Sequence, residues 1–260
     1  MRDWARRNTT PNPSEPATDY SLSVVIPAFN EESRLPATLE RVSAFLSARH
    51  SDRGDTYEVL VVDNGSTDRT SEVVRVASER DPSIRLCFTE LRGKGRAVRL
   101  GVGLARGKRV AFCDADLSTP IEEVVGLADR IHDGHPVVIA TREGLGARRI
   151  GEPVTRHLMG RVFNAVVRTL AVPGIQDTQC GFKAFSEEAA RAIFSRQTVT
   201  GFGFDVEILY IARKLGYGIL EVPVTWVYAP SSRVDPVKDT LRMLADIARV
   251  RWNDLRGVYR

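Results

Sequence analysis

The chain has 260 residues, of which 43% are hydrophobic and 27% are charged, a composition that indicates a soluble globular protein with a sizeable core. Its 37 basic and 33 acidic residues give a net charge of +4, which suits anionic ligands or an anionic membrane surface and gives no reason to expect a nucleic-acid partner. The three cysteines lack the spacing of a metal site, so we expect reduced thiols in a cytoplasmic protein.

Residues 1–19 form a polar segment that contains three prolines. The segment lacks the apolar core of a signal peptide and predicts a disordered tail. No uninterrupted apolar run in the chain is long enough for a membrane-spanning helix. We therefore expect any membrane contact to be peripheral, at the cytoplasmic face.

Short β-branched runs alternate with helical patterns along the chain. Runs at residues 23–27, 57–62, 84–88, 110–113 and 137–140 predict strands, and apolar stripes between them predict helices. Such alternation indicates βαβ units, a mostly parallel sheet and right-handed crossovers. We predict one α/β domain over residues 20–235, with helices flanking the sheet, and an amphipathic helix at 236–260 that packs on the domain or on a membrane surface.

Two aspartates follow the fourth predicted strand. Asp114 and Asp116 come at the edge where an open α/β sheet places its ligands. Residues i and i+2 of an extended segment point the same way, so both carboxylates can share one hard cation such as Mg²⁺ or Mn²⁺. Such a cation would hold a diphosphate and stabilise the charge left when it departs. An isolated Asp-x-Asp sequence, however, more often ends a strand and begins a turn.

A third acid, Asp63, ends the second predicted strand in the same way. It opens a turn of residues that bond their own backbone, in which Thr67 or Asp68 is expected to cap the next helix. Acids at the ends of two strands of one sheet favour a single polar cleft over unrelated turn residues.

Basic residues are concentrated in two further segments. Residues 92–99 combine glycines, which allow close backbone approach, with cations that suit a phosphate or a base carbonyl, but they match neither a Walker loop nor a dinucleotide fingerprint. The second segment follows the fifth predicted strand and is suited to an anionic co-substrate. Its arginines are Arg142, Arg148, Arg149 and Arg156. Solvated basic loops are an equally good interpretation of both segments.

The second half of the chain mixes loop and helix patterns. Residues 174–185 combine polar, glycine and aromatic residues, as functional loops do. A buried-looking helix begins near Asp205 and Glu207, where acids also favour the helix dipole. Residues 218–224 predict a strand, and the stretches 155–170 and 236–256 predict helices with basic residues beside an apolar stripe. These two helices can pack on the domain or lie on an anionic membrane.

Residues 25–31, 62–68 and 114–116, in this order and spacing, resemble the nucleotide-sugar half of glycosyltransferase family 2, which has a GT-A fold. Residues 93–99, 177–183 and 204–207 are similar to those of dolichyl-phosphate β-glucosyltransferases, close relatives of the dolichyl-phosphate mannosyltransferases. The resemblance covers residues 21–255. It implies inverting transfer of a hexose from a nucleotide sugar, with UDP-glucose favoured over GDP-mannose, to a polyprenyl phosphate such as dolichyl phosphate.

The resemblance also implies roles for individual residues. Asp114 and Asp116 would hold a Mg²⁺ or Mn²⁺ ion on the diphosphate, with Ala115 also at the substrate. Arg142, Gln179 and Arg233 would lie near the sugar or the lipid phosphate. The residues expected to border the nucleoside are Pro27, Ala28, Asn30, Glu31, Asp63, Gly93 and Lys94.

A lipid phosphate is already anionic near neutral pH, so no dedicated base is required, and Asp177 and Asp205 are the candidates if one exists. The resemblance leaves a difference in membrane anchoring: we expect no counterpart of the amino-terminal hydrophobic segment of the eukaryotic enzymes or of the carboxyl-terminal membrane helices of some mannosyltransferases, and we expect the two amphipathic basic helices to take their place. Alternatives are a family 2 transferase with a soluble acceptor and a non-catalytic nucleotide-binding module. A nucleotidyltransferase is disfavoured because no glycine-rich basic signature follows the first strand.

Overall fold

The computed structural model describes residues 20–132, 134–228 and 236–260. The predicted tail at 1–19 and the predicted site residue Arg233 lie outside the described residues. The strands are β1 Tyr20–Ala28, β2 Tyr57–Asp63, β3 Ile84–Phe88, β4 Gly107–Phe112, β5 Val137–Thr141, β6 Arg148–Ile150, β7 Lys183–Ser186, β8 Ile219–Pro223 and β9 Thr225–Val227. The helices are α1 Leu35–Arg53, α2 Thr70–Arg80, α3 Lys94–Leu104, α4 Ile121–His132, α5 Val154–Leu170, α6 Glu187–Arg196, α7 Phe204–Lys214 and α8 Pro236–Leu255.

Seven of these strands form one twisted layer in the order β3-β2-β1-β4-β7-β5-β8. All neighbouring pairs are parallel except those of β7, which runs antiparallel to both β4 and β5. In the register of the central strands Val25 lies opposite both Leu60 and Phe112. Because β1, β2, β4 and β5 point the same way, the loops that follow them gather at one edge of the sheet. The predicted α/β fold is confirmed.

The core lies on both faces of this sheet. Successive residues of β1 alternate between the two sides, so Val25 packs in one apolar cluster and Val24 and Ile26 pack in the other. One cluster contains stacked aromatic rings, with the centroids of Phe112 and Phe185 6.2 Å apart. Burial on both faces explains why these strands read as continuous apolar runs.

The structure corrects several expectations about local elements. The mixed segment 174–185, which we expected to be a functional loop, forms β7 at its carboxyl end, and Ser186 then caps α6 by accepting a hydrogen bond from the Ala189 N–H (3.2 Å). The predicted strand at 218–224 is confirmed as β8, but the sequence did not predict β9, which pairs with β6 in a separate two-stranded sheet. No side chain caps α2 at its N-cap, Arg69, although Asp68 Oδ1 accepts from the Thr70 N–H (3.0 Å).

Helix α8 packs on the domain through Met243, Ile247 and Val250, all of which are buried. Near its carboxyl end, Trp252 and Leu255 remain largely exposed. Among the helices that the structure describes, none combines the length and the apolar character needed to cross a membrane.

The three cysteines are free and buried, in agreement with the reduced thiols expected from the sequence. Burial raises the pKa of Cys87 and of Cys180 to about 11. Both thiols are therefore protonated near neutral pH and have little nucleophilic character.

Candidate active site

The loops after β1 and β2 are joined by hydrogen bonds between side chains and backbone. Asn30, at a positive φ of 54° that asparagine tolerates, donates its N–H to Ser66 Oγ (2.9 Å) and accepts the Thr67 N–H at Oδ1 (2.8 Å). The Glu31 N–H donates to Thr70 Oγ1 (2.7 Å). These bonds shape one wall of the edge where we expected the nucleoside to bind.

Asp63 lies at the end of β2, level with Ala28 at the end of β1, and both residues are buried. Its Oδ1 accepts the Ser66 N–H (2.9 Å), and its Oδ2 accepts from the Ser71 hydroxyl. The carboxylate therefore shapes its own turn. Next to it, Asn64 Oδ1 is buried without a hydrogen-bond partner among the described residues, a feature that sequence reasoning missed.

Lys94 of the basic segment points at the predicted metal site. Its Nζ lies 2.6 Å from Asp114 Oδ1. Although burial disfavours the charged ammonium, the carboxylates of Asp114 and Asp205 raise the pKa of Lys94 above its ordinary value. The lysine is therefore a charged residue held at the site. At this position the basic segment is not the solvated loop that the sequence left open.

Glycines make this placement of Lys94 possible. Gly93 has a φ of 141°, and a Cβ there would lie 2.4 Å from the Thr200 carbonyl oxygen. A Cβ on Gly95 would lie 2.5 Å from Cβ of Phe204, at the start of α7. The turn is thus pressed against the neighbouring backbone and has no room for a larger residue.

Asp114 and Asp116 follow β4 at the carboxyl edge of the sheet. The Asp114 side chain is 37% exposed, and a Cβ added to Gly181 would lie only 2.0 Å from its Oδ2. Asp116 Oδ1 accepts the Ser118 N–H (2.9 Å). The glycine thus gives Asp114 the space in which its carboxylate lies.

The donor chemistry of this pair fits a hard divalent cation, because carboxylate oxygens are the ligands that Mg²⁺ and Mn²⁺ prefer. The described part of the chain holds no group of three or more acidic, histidine or cysteine side chains placed to bind a metal. Two carboxylates are nevertheless a usual protein contribution where substrate phosphates supply the remaining ligands of Mg²⁺.

Arg142 and Asp177 form a buried, bidentate ion pair beside the carboxyl edge of the sheet. Arg142 Nε and Nη2 lie 2.7 Å and 2.9 Å from Oδ2 and Oδ1 of Asp177. The same carboxylate accepts the backbone N–H groups of Arg142 (3.0 Å) and Gln179 (3.2 Å). The Arg142 guanidinium also lies 5.4 Å from the centroid of the Trp226 ring.

These contacts argue against the predicted role of Asp177 as a base. Burial alone would raise the pKa of Asp177, but the Arg142 guanidinium outweighs it and holds the pKa well below its ordinary value. Both carboxylate oxygens are also occupied by donors. Asp177 is therefore suited to positioning Arg142 and the backbone of Gln179, whose side-chain Nε2 is buried without a hydrogen-bond partner in the described part of the chain.

Asp205, the other candidate base, is paired with a buried lysine. Lys183 Nζ lies 2.6 Å from Asp205 Oδ1 and donates to the Cys180 carbonyl (2.7 Å). Burial raises the pKa of Asp205 in spite of Lys183 and Lys94. Sequence reasoning did not predict this role of Lys183, which lies two residues after Gly181, the glycine that packs against Asp114.

Glu207 braces the backbone behind the basic turn. Its buried carboxylate accepts the N–H groups of Thr198 (2.9 Å) and Val199 (2.7 Å) and the Tyr259 hydroxyl (2.6 Å). The segment it holds contains Thr200, whose carbonyl lies against Gly93. Glu207 therefore supports the turn rather than simply favouring the dipole of α7.

Comparison with known proteins gives this arrangement a family. The model of the family described as "Glycosyl transferase family 2" matches residues 23–194. The chain belongs to glycosyltransferase family 2. The match spans β1 to α6 and so contains the acids after β2 and β4, Lys94 and the Arg142–Asp177 pair.

Similarity to individual proteins extends over most of the chain. A dolichyl-phosphate β-glucosyltransferase of Dictyostelium discoideum is 36% identical over 258 residues, which cover 94% of this chain and 78% of that protein. The human dolichyl-phosphate β-glucosyltransferase is 37% identical over 250 residues, covering 92% of this chain and 77% of that protein.

A solved structure shares the fold of this family 2 enzyme. Glucosyl-3-phosphoglycerate synthase from Mycobacterium tuberculosis, in complex with Mn²⁺, UDP-glucose and phosphoglyceric acid, superposes with a TM-score of 0.64 at 23% identity and covers 92% of this chain and 80% of its own. The likeness confirms the GT-A fold.

Proposed function

We propose that this glycosyltransferase transfers glucose from UDP-glucose to the phosphate of a polyprenol, such as dolichyl phosphate, with inversion at the anomeric carbon. The observation that carries the proposal is the contact of Lys94 with Asp114, beside Asp116, at the carboxyl edge of the parallel sheet. Relatives at 36% and 37% identity over most of the chain, named dolichyl-phosphate β-glucosyltransferases, support the acceptor and the sugar.

Asp114 and Asp116 are the residues that would hold a divalent metal, Mg²⁺ or Mn²⁺. When bound, the metal would neutralise charge on the departing nucleoside diphosphate. The M. tuberculosis neighbour solved with Mn²⁺ and UDP-glucose supports this choice of group. Lys94 lies at the amino-terminal end of α3, where the helix dipole favours an anion, and would place a second cation beside the diphosphate.

The nucleoside would lie in the cleft between the loops after β1 and β2. Asn30, Glu31 and Asp63 hold the shape of these loops through the hydrogen bonds described above. The free Oδ1 of Asn64 is a suitable acceptor for a donor group of the nucleoside. The remaining residues proposed to border the donor are Pro27, Ala28, Gly93 and Ala115.

The acceptor phosphate would approach from the side of Arg142 and Gln179. A phosphate monoester is anionic near neutral pH, so the site needs to align it rather than to deprotonate it. This accords with the engagement of both candidate bases by cations, Asp177 by Arg142 and Asp205 by Lys183. The unpartnered Nε2 of Gln179 can donate to a sugar or phosphate oxygen. Arg233 remains a proposed contact.

The test is a transfer assay with UDP-glucose, polyprenyl phosphate and Mn²⁺. We expect glucosyl lipid from the wild type and at least a ~10²–10³-fold lower rate from Asp116→Asn, the loss typical of removing one electrostatic stabiliser. Asparagine keeps an oxygen for the Ser118 N–H, so the loop is preserved. Transfer from GDP-mannose instead, transfer to phosphoglycerate but not to lipid, or unchanged turnover in Asp116→Asn would contradict the proposal.

A further inference from the structure

We propose that the turn 143–147 and the outer face of the β6–β9 pair, together called the tip, dock the enzyme on an anionic lipid bilayer. The inference rests on the proposed function, because it assigns the surface through which a lipid-bound acceptor reaches the site. The occupant is the bilayer itself, bearing anionic headgroups such as the acceptor phosphate.

Large apolar side chains are exposed together on the tip. Leu145 is 100% exposed, and it stands between Gly144 and Gly146, which have φ angles of 89° and 93°. Ile150 and Val227 are 52% and 42% exposed, and they are directly paired between β6 and β9. A single exposed apolar residue is ordinary, but two that are paired on one small sheet, with a third in the turn that precedes it, indicate an interaction surface.

The tip has a firm base. Arg149, on the inner side of β6, donates to the Arg142 carbonyl (3.0 Å) and pairs with Glu143 (2.8 Å) and Glu152 (2.6 Å). Its strand partner Trp226 is buried. Arg149 and Trp226 thus point toward the protein, and their contacts hold β6 and β9 in place with the apolar side chains of the tip exposed on the other face.

The tip is directly connected to the proposed metal site. The Val227 N–H donates to the Ser118 carbonyl (2.7 Å), and the Ser118 N–H donates to Asp116 Oδ1 (2.9 Å). Arg142, at the root of the turn, forms the ion pair with Asp177. A bilayer in contact with the tip would therefore lie beside the edge where the acceptor phosphate has to arrive.

A second exposed apolar group lies at the carboxyl end of α8, on another side of the domain. Trp252, which is 61% exposed, is two residues from Asp254, and Asp254 accepts from the Tyr210 hydroxyl (2.6 Å) and pairs with Lys214 at the carboxyl end of α7. The amino end of α7 is the one that packs on Gly95. Trp252 therefore lies on the side of the domain formed by α7 and α8 and is not part of β6 or β9.

Charge favours an anionic partner over a neutral one. Arg148 is exposed, and no acidic side chain within the described ranges forms an ion pair with it. Glu143, the acid of the turn, pairs with Arg149, which it shares with Glu152, so that Arg148 is the charge of the tip that faces outward without an acid beside it. The outward charge of the tip is therefore positive and lies beside the apolar side chains, which is the pairing that binds anionic interfaces.

The experiment is flotation of the full chain with vesicles of phosphatidylcholine and phosphatidylglycerol, without acceptor. We expect Leu145→Glu to bind at least about tenfold more weakly than the wild type, because a leucine no longer leaves water. Arg148→Gln should bind about fivefold more weakly and should show a smaller dependence on salt. Trp252→Glu is the matched control, an exposed apolar residue away from the tip, and it should bind as the wild type does.

Further measurements separate the docking surface from the proposed reaction. Leu145→Glu should raise KM for polyprenyl phosphate in vesicles while its UDP affinity, measured by calorimetry, and its melting temperature stay unchanged. Wild-type protein that does not float, or loss of flotation in Trp252→Glu with retention in Leu145→Glu, would overturn the docking surface. Docking through the tip without glucosyl transfer would instead overturn the proposed function and leave the docking surface intact.

Discussion

Replacing Gly181 by alanine should damage the site while leaving the fold nearly unchanged. The Cβ would lie 2.0 Å from Asp114 Oδ2 and 2.6 Å from its Cγ, whereas real Cβ contacts shorter than 3.0 Å are essentially absent from proteins. The carboxylate therefore has to move by about 1 Å, the difference between 3.0 Å and 2.0 Å. A misplacement of about 1 Å can cost about 10²-fold in rate, or about 2.7 kcal/mol of transition-state stabilisation.

The stability of Gly181→Ala should change by less than about 1 kcal/mol, because the atom that moves is the end of a partly exposed side chain. The assays are steady-state kinetics with Mn²⁺ titration and thermal unfolding. Gly103→Ala, in α3 with open space around the position of its Cβ, is the control. It should be about 0.5–1 kcal/mol more stable, with unchanged kinetics. Wild-type kcat/KM and Mn²⁺ dependence in Gly181→Ala would refute the placement of Asp114.

Two buried carboxylates give further predictions. Arg142→Ala leaves Asp177 buried without its cation and should cost about 3–5 kcal/mol in urea unfolding near neutral pH. Because the folded-state pKa of Asp177 is lowered, its contribution is present above the unfolded pKa of about 3.9 and is lost as the pH falls toward the folded value, so the gap between variant and wild type should narrow below about pH 4. A gap independent of pH would contradict this assignment. Tyr259→Phe removes a hydrogen bond to Glu207 and should cost about 1.5–3 kcal/mol in thermal unfolding, while an unchanged melting temperature would show that the bond contributes nothing.

The fold could be predicted from the sequence where local pattern and burial agree. Strands β1, β2, β4 and β5 are apolar on both faces, so their composition was enough to predict them. The parallel direction of these strands was enough to predict that the acids at the ends of β2 and β4 lie at one edge of the sheet. Strand β7 could not be predicted in this way because it begins with Lys183, a charged residue that is fully buried. Its partner Asp205 lies 22 positions later in the chain, and no local pattern reveals such a pair.

The sequence predicted which residues belong to the candidate site, but it did not predict most of the contacts between them. Asp114, Asp116 and Lys94 were identified from motifs, but the 2.6 Å contact between Lys94 and Asp114 depends on the packing of α3 against the sheet. Asp177 was considered as a base because it is the acid of its motif. In the structure its carboxylate forms an ion pair with Arg142 and is not available as a base. The free atoms of Asn64 and Gln179 become apparent only once neighbouring chain segments are in place.

The most direct test of the account is calorimetric titration of UDP into the wild type and Asp116→Asn, with and without Mn²⁺. We predict that Mn²⁺ raises the UDP affinity of the wild type at least about tenfold, equivalent to about 1.4 kcal/mol, and that this coupling is lost in Asp116→Asn. Equal UDP affinity of the wild type with and without Mn²⁺, or full coupling in the variant, would contradict the claim that these carboxylates hold a metal on the nucleoside diphosphate.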